Sequence, residues 1–196
     1  MRQQLFLDSE YTGLHKNTTL ISIGIISLDG RTFEADLTDY DKNQVNDWIK
    51  DNVIKHLTIP KTDKSKGERE YYWATRHYRN KSNDLYKGYS VRMSGTKEEV
   101  REELERWLAQ FDEVEIWSDC LSYDWVLFND IFGHAFNIPK NVLYIPFDIC
   151  TLFRMKGIDP DISREEFIHN SIKGKKHNAL YDARVIRACY HKLINL

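Results

Sequence analysis

Residues 19–28, TLISIGIISL, are β-branched and almost wholly apolar, the pattern of a strand buried on both faces. Asp29-Gly30 follows as a strong hairpin signal, and RTFEADL, residues 31–37, returns as a strand. Residues 4–9 read as a strand ahead of these two, so the chain opens as an antiparallel three-strand meander. The remainder alternates. Thr96 and Glu99 form a capping box for a helix through Phe111, with Val100, Leu104, Trp107 and Leu108 on its buried face. VEIWS, 114–118, is short, apolar and follows a helix, which predicts a parallel strand. Residues 123–133 read as a helix stopped by Gly133, and 141–149 as containing a strand whose end or edge Pro146 marks. Ser163 with Glu166 caps a short helix, and 177–194 is the last. Residues 44–57 have helical spacing through Val45, Trp48, Ile49 and Val53. A meander followed by alternating helix and strand predicts an α/β fold, a mixed sheet with helices on its faces.

At 196 residues, 41% hydrophobic and 13% aromatic, the chain can bury a core as one domain, 1–196, carrying a long insertion at 58–92. That insertion is polar and poor in periodicity, and reads as a loop. No apolar run approaches a membrane span and no leader opens the chain, so no membrane partner is expected. Cys120, Cys150 and Cys189 are odd in number and lack C-x-x-C spacing, which suits reduced thiols and a cytoplasmic location.

The net charge of −2 decides little, but its distribution is uneven. Residues 55–92 hold ten Lys or Arg against four Asp or Glu, and KGKK, 173–176, stands directly before His177. A polyanionic partner fits this pattern; so does a solvated loop. Tyr71, Tyr72, Trp73 and Tyr78 lie among Arg69, Arg76, Arg79 and Lys81, as in single-strand-binding surfaces. The same aromatics would equally cover a core or a subunit interface.

Asp8 and Glu10 interrupt the apolar run LFLDSEYTGL and share one strand face. Buried carboxylates are paired or hold a metal. Asp124 opens the helix after VEIWS, and Asp182 lies in the first turns of the last helix. Capping and the helix dipole explain an Asp at a helix start without any chemistry. Several carboxylates from different elements are also what a two-metal phosphodiester hydrolase needs, and oxygen ligands suit Mg²⁺ or Mn²⁺. His177 and Asp182 are five residues apart. That is about 140° of rotation on a regular helix. Both reach one point only if His177 stands outside the helix, where it would take a proton from water.

The motif D-S-E-Y-T-G-L at 8–14 resembles the first motif of the DEDD superfamily of 3′–5′ exonucleases. Y-D-W-V-L-F at 123–128 resembles the second, and H-N-A-L-Y-D-A at 177–183 the third motif of the histidine-bearing branch, DEDDh. The three occur in order across nearly the whole chain, and the closest group looks like the small exoribonuclease T-like enzymes of bacteria and phages. The resemblance implies a ribonuclease H-like fold, in agreement with the meander. It implies that Asp8, Glu10, Asp124 and Asp182 bind two Mg²⁺ or Mn²⁺ ions, that His177 is the general base, and that Tyr11, Thr12, Gly13 and Leu14 line the pocket for the 3′-terminal nucleotide. Members often dimerise, so a homodimer is an expectation. Asp119, in a region where relatives carry Asn, reads as an extra outer ligand or, the favoured reading, an ordinary surface acid, and Asp148 as either an accessory acid or a helix cap.

The expected activity is removal of nucleoside 5′-monophosphates from the free 3′ end of single-stranded nucleic acid, RNA favoured. The alternatives are a 3′–5′ exodeoxyribonuclease acting on single-stranded DNA, and a non-hydrolytic nucleic-acid-binding module on the same fold.

Overall fold

A computed structural model describes residues 2–57, 72–79 and 85–196, without the side chains of 72–79 and 85–87. Seven strands form one mixed sheet: β1 (Gln3–Tyr11), β2 (Leu20–Ser27), β3 (Thr32–Leu37), β4 (Tyr72–Arg79), β5 (Leu85–Gly95), β6 (Val114–Ser118) and β7 (Phe147–Asp148). Their spatial order is β4-β5-β3-β2-β1-β6-β7. β1, β2 and β3 pair antiparallel as the meander, and β6 adds to β1 in parallel. Every residue of β2 is buried, as its unbroken apolar run requires. The Asp29-Gly30 turn closes with Gly30 at φ 101°, a conformation open to glycine.

The α-helices among the described residues are α1 (Asp47–Asn52), α2 (Lys97–Leu108), α3 (Leu121–Ile131), α4 (Ile149–Met155), α5 (Arg164–Phe167) and α6 (Ala179–Ile194). Helix α2 starts at the expected capping box, with Thr96 accepting from the Glu99 N–H and Glu99 accepting from the Thr96 N–H. One core joins Leu5, Leu7, Ile23, Ile25 and Phe33 to α2 and α3 through Leu104, Trp107 and Phe128. A second joins Phe6 and Ile26 to α4, α5 and α6 through Phe153, Phe167 and Ile186. A fully buried side chain of this kind contributes about 1.5–3 kcal/mol. Period-two alternation along β1 therefore sends Leu5, Leu7 and Ser9 toward the α2–α3 layer, and Phe6, Asp8 and Glu10 toward α6.

Three expectations change. Residues 44–57 do not form one helix: Asn46 accepts from the Ile49 N–H and starts α1 afresh, which ends at Asn52. Ile21, Tyr40, Ile49 and Val53 form its small core, and Trp48 is left 55% exposed. Residues 141–149 supply only the two residues of β7 and a bridge from Val142 to Val114, since Pro146 has no N–H for a ladder. The described part of 58–92 is strand, not loop: β4 pairs antiparallel with β5, which extends the sheet in parallel from β3. The aromatic–cation surface proposed for residues 69–81 lies outside the described side chains.

Glycine sets the distance between α6 and the sheet. Gly24 pairs with Asp8 in the β1–β2 register. A Cβ on Gly24 would lie 2.2 Å from the Leu180 backbone nitrogen. Helix α6 therefore rests directly on β2, beside the strand position that carries the first acid.

Candidate active site

Asp8 and Glu10 project from β1 toward the amino end of α6, whose first turn carries Asp182. Asn178 caps that helix, accepting from the Tyr181 N–H at 3.0 Å and donating to Glu34 on β3 at 3.4 Å. Among the described residues, Asp8, Glu10 and Asp182 offer ligand oxygens within 4.8 Å of one another. They line a cavity of about 450 Å³.

Burial and mutual repulsion act together on the cluster. Burial, then the fields of Asp124, Asp182 and Glu10, push the Asp8 carboxyl well above its ordinary range. Burial, then Asp182 and Asp124, push Glu10 up to about 8. Burial raises Asp182 to about 7 against the lowering effect of the His177 N–H. Two carboxylates at 4 Å repel by about 4 kcal/mol at an effective dielectric of 20. Three carboxylate oxygens this close together are a donor set that fits a hard divalent cation.

Asp124 is placed differently. It is 1% exposed in the first turn of α3, and its two carboxylate oxygens accept from the hydroxyls of Ser9 and Ser118. Burial raises it to about 6 while those hydroxyls pull it down. It stands behind β1, outside the three-acid group, close enough for its field to be the second cause of the Asp8 shift.

His177 lies just before α6 with φ 63°, off the helix, the position from which it and Asp182 can reach one point. Its N–H donates to Asp182 Oδ2 at 2.8 Å, and its ring meets Trp48 edge-on at 5.1 Å. Burial, then Lys176 and His56, lower its pKa. Nδ1 lies 3.8 Å from Glu10 Oε1. Burial thus disfavours the charged form of both partners, lowering the imidazole and raising the Glu10 carboxyl.

The residues after the acids divide. Gly13 and Leu14 line the cavity, and Leu14 is 71% exposed. Tyr11 reaches the cavity while stacking on Tyr123 at 5.3 Å. Thr12 is buried and donates to Gln44 Oε1 at 2.6 Å, tying the Leu14 loop to the segment before α1. Asp119 is no ordinary surface acid: it lines the cavity and takes both Nε and Nη2 of Arg164, at 3.0 and 2.8 Å. Asp148 caps α4, accepting from the Cys150 N–H at 2.9 Å. Sequence reasoning missed Trp48, Glu165 and Lys176 as cavity residues. Trp48 carried a signal, an aromatic in a polar helix, that reads in the sequence only as part of the helical spacing through Val45, Ile49 and Val53. Cys120, Cys150 and Cys189 are free.

The sequence pattern of the 3′-5′ exoribonuclease Rv2179c-like domain matches residues 3–194. The chain belongs to that family. The 3′-5′ exoribonuclease Rv2179c of Mycobacterium tuberculosis is 22% identical over 169 residues, covering 85% of this chain and 83% of that protein. A solved structure of S. pombe Pop2p, described as its Mg²⁺- and Mn²⁺-bound form, superposes with a TM-score of 0.55 at 13% identity. It covers 97% of this chain and 82% of Pop2p, which supports the ribonuclease H-like fold. Family membership carries the coarse activity, 3′–5′ exoribonuclease, and a nucleic-acid substrate. No helix among the described residues is long and apolar enough to cross a membrane.

Proposed function

We propose that residues 1–196 act as one DEDDh-type 3′–5′ exonuclease that removes nucleoside 5′-monophosphates from the free 3′ end of single-stranded RNA, with two Mg²⁺ or Mn²⁺ ions per site. The observation that carries this reading is the meeting of Asp8, Glu10 and Asp182 from two distant segments, with His177 beside them at one cavity. Asp8, Glu10 and Asp182 would hold the ions, and Asp124 would join them by turning from Ser9 and Ser118. The ions supply a more acidic water and charge stabilisation at the leaving 3′ oxygen.

The chain's own residues do the rest. His177, kept neutral by burial, takes the proton of the attacking water at an imidazole nitrogen. Its positive-φ turn and the bond to Asp182 fix the backbone from which the ring extends, and the ring packs edge-on against Trp48. Leu14 and Trp48 present exposed apolar surface on the same cavity, suited to the faces of an unpaired terminal base. A cavity of about 450 Å³ suits one terminal nucleotide at a time. A close resemblance to the exoribonuclease T-like group, with homodimerisation and a cytoplasmic location, forms part of the same proposal.

The test is incubation of 3′- and 5′-labelled RNA and DNA oligomers with Mg²⁺ or Mn²⁺, with and without EDTA, beside Asp8→Asn. Stepwise loss from the 3′ end of RNA, abolished by EDTA and by D8N, is expected. Degradation of DNA alone would shift the reading to an exodeoxyribonuclease. Binding without hydrolysis would leave a non-catalytic module.

A further inference from the structure

Five carboxylates line the cavity, Asp8, Glu10, Asp119, Glu165 and Asp182, yet the proposed substrate is a polyanion. The cavity also offers two cations among the described residues, Arg164 and Lys176. Arg164 is committed to the protein. Besides its paired bonds to Asp119, Nη2 donates to the Pro160 carbonyl at 2.8 Å and Nη1 to the Ile162 carbonyl. Its guanidinium lies over the Phe153 ring at 4.8 Å. No swing toward a ligand is open without breaking that set.

Lys176 is held in the opposite way. Its side chain is 65% exposed, and its acidic partner, Glu165 Oε1, is 3.7 Å from Nζ. A charge-assisted hydrogen bond is shorter, about 2.7–2.9 Å. A loose, solvated pair contributes little, so giving it up costs little. The backbone next to Lys176 is fixed, because the following residue, His177, is pinned to Asp182. A flexible stem on a fixed base puts the ammonium within a small radius of the acid cluster.

We infer that Lys176 is a substrate-binding residue that leaves Glu165 to hold a phosphate oxygen of the RNA strand whose 3′-terminal nucleotide occupies the cavity. Glu165 is its resting partner. The inference rests on the proposed exonuclease function. It gives the basic knot before His177 a particular role: one member reaches the site, while Lys173 and Lys175 do not line it.

The experiment measures binding of a fluorescein-labelled single-stranded RNA oligomer by anisotropy in Ca²⁺ across a salt series, beside wild-type hydrolysis in Mg²⁺. Lys176→Met is expected to weaken binding several-fold and to flatten the slope of log affinity against log salt by about 0.7, one phosphate contact's share. Lys176→Arg restores the slope. Glu165→Gln frees the lysine and tightens binding, an effect opposite to that of K176M. A K176M slope equal to wild type, or an E165Q that weakens binding, overturns the inference while wild-type hydrolysis still stands. A wild type that neither binds nor cuts RNA overturns the exonuclease reading and this inference with it.

Discussion

The backbone N–H of His177 donates to Asp182 Oδ2 over 2.8 Å, so the proposed base and a proposed metal ligand are locked together through main chain. Removing the imidazole leaves that bond in place. The residue must tolerate φ 63°, which asparagine does well. His177→Asn is therefore expected to fold normally, to keep its thermal shift with Mn²⁺, and to lose about 10²–10⁴ in kcat. Steady-state rates and melting curves of the one variant check both halves; loss of the metal shift together with the rate would point to a damaged site.

The metal-free protein should lose stability as pH rises. Glu10 sits at about 8 and Asp182 at about 7 when folded. Unfolded carboxyls titrate near ~4. A raised folded pKa means the folded state binds more protons, so its stability is full below the unfolded value and falls away up to about pH 8. In EDTA the melting temperature is expected to drop between about pH 5 and pH 8, and Glu10→Gln to flatten the drop. Mn²⁺ should stabilise more at the alkaline end, where protons no longer compete with it. A flat EDTA profile for wild type would contradict the buried-acid account.

Gly24→Ala tests the seating of α6. Its methyl would overlap the Leu180 nitrogen and the Ala179 carbonyl carbon, at 2.2 and 2.3 Å. Both are backbone atoms, so the helix must move. Overpacking costs about 1–3 kcal/mol. Asp182 moves with the helix, so activity should fall further than stability; chemical denaturation and kcat/KM together give the comparison.

Trp48→Ala is expected to leave the urea midpoint close to wild type, because the ring is 55% exposed. Its cost should appear as weaker RNA binding, of the order of the 1–3 kcal/mol of one base stack, about 5- to 150-fold. Trp48→Phe should recover most of it. Unchanged KM for W48A would remove Trp48 from the substrate wall.

The meander was legible because each of its strands announces itself locally: an apolar run, a Gly turn, an alternating return. The three-acid cluster was legible for a similar reason. Asp8 and Glu10 share a strand face, and if His177 and Asp182 were to reach one point His177 had to stand off the helix, where it is found. What could not be read were relations across the chain. Nothing near Ser9 or Ser118 says that they hold Asp124, and nothing near Gly24 says that a helix some 155 residues later lands on it. Trp48 misled because helical spacing cannot tell a core-facing aromatic from one facing a cavity. Residues 72–79 and 85–95 pair across the edge of the sheet, and their polar composition hid the strands.

Three consecutive residues of β1 serve both layers of the molecule: Asp8 and Glu10 reach α6, while Ser9 between them steadies Asp124 on α3. Sliding this strand by one position would put a hydroxyl where the acids faced α6 and an acid where the hydroxyl faced α3. Single-residue insertions or deletions between Leu5 and Glu10 should therefore leave no partly working variants in a mutational library, however well the product folds.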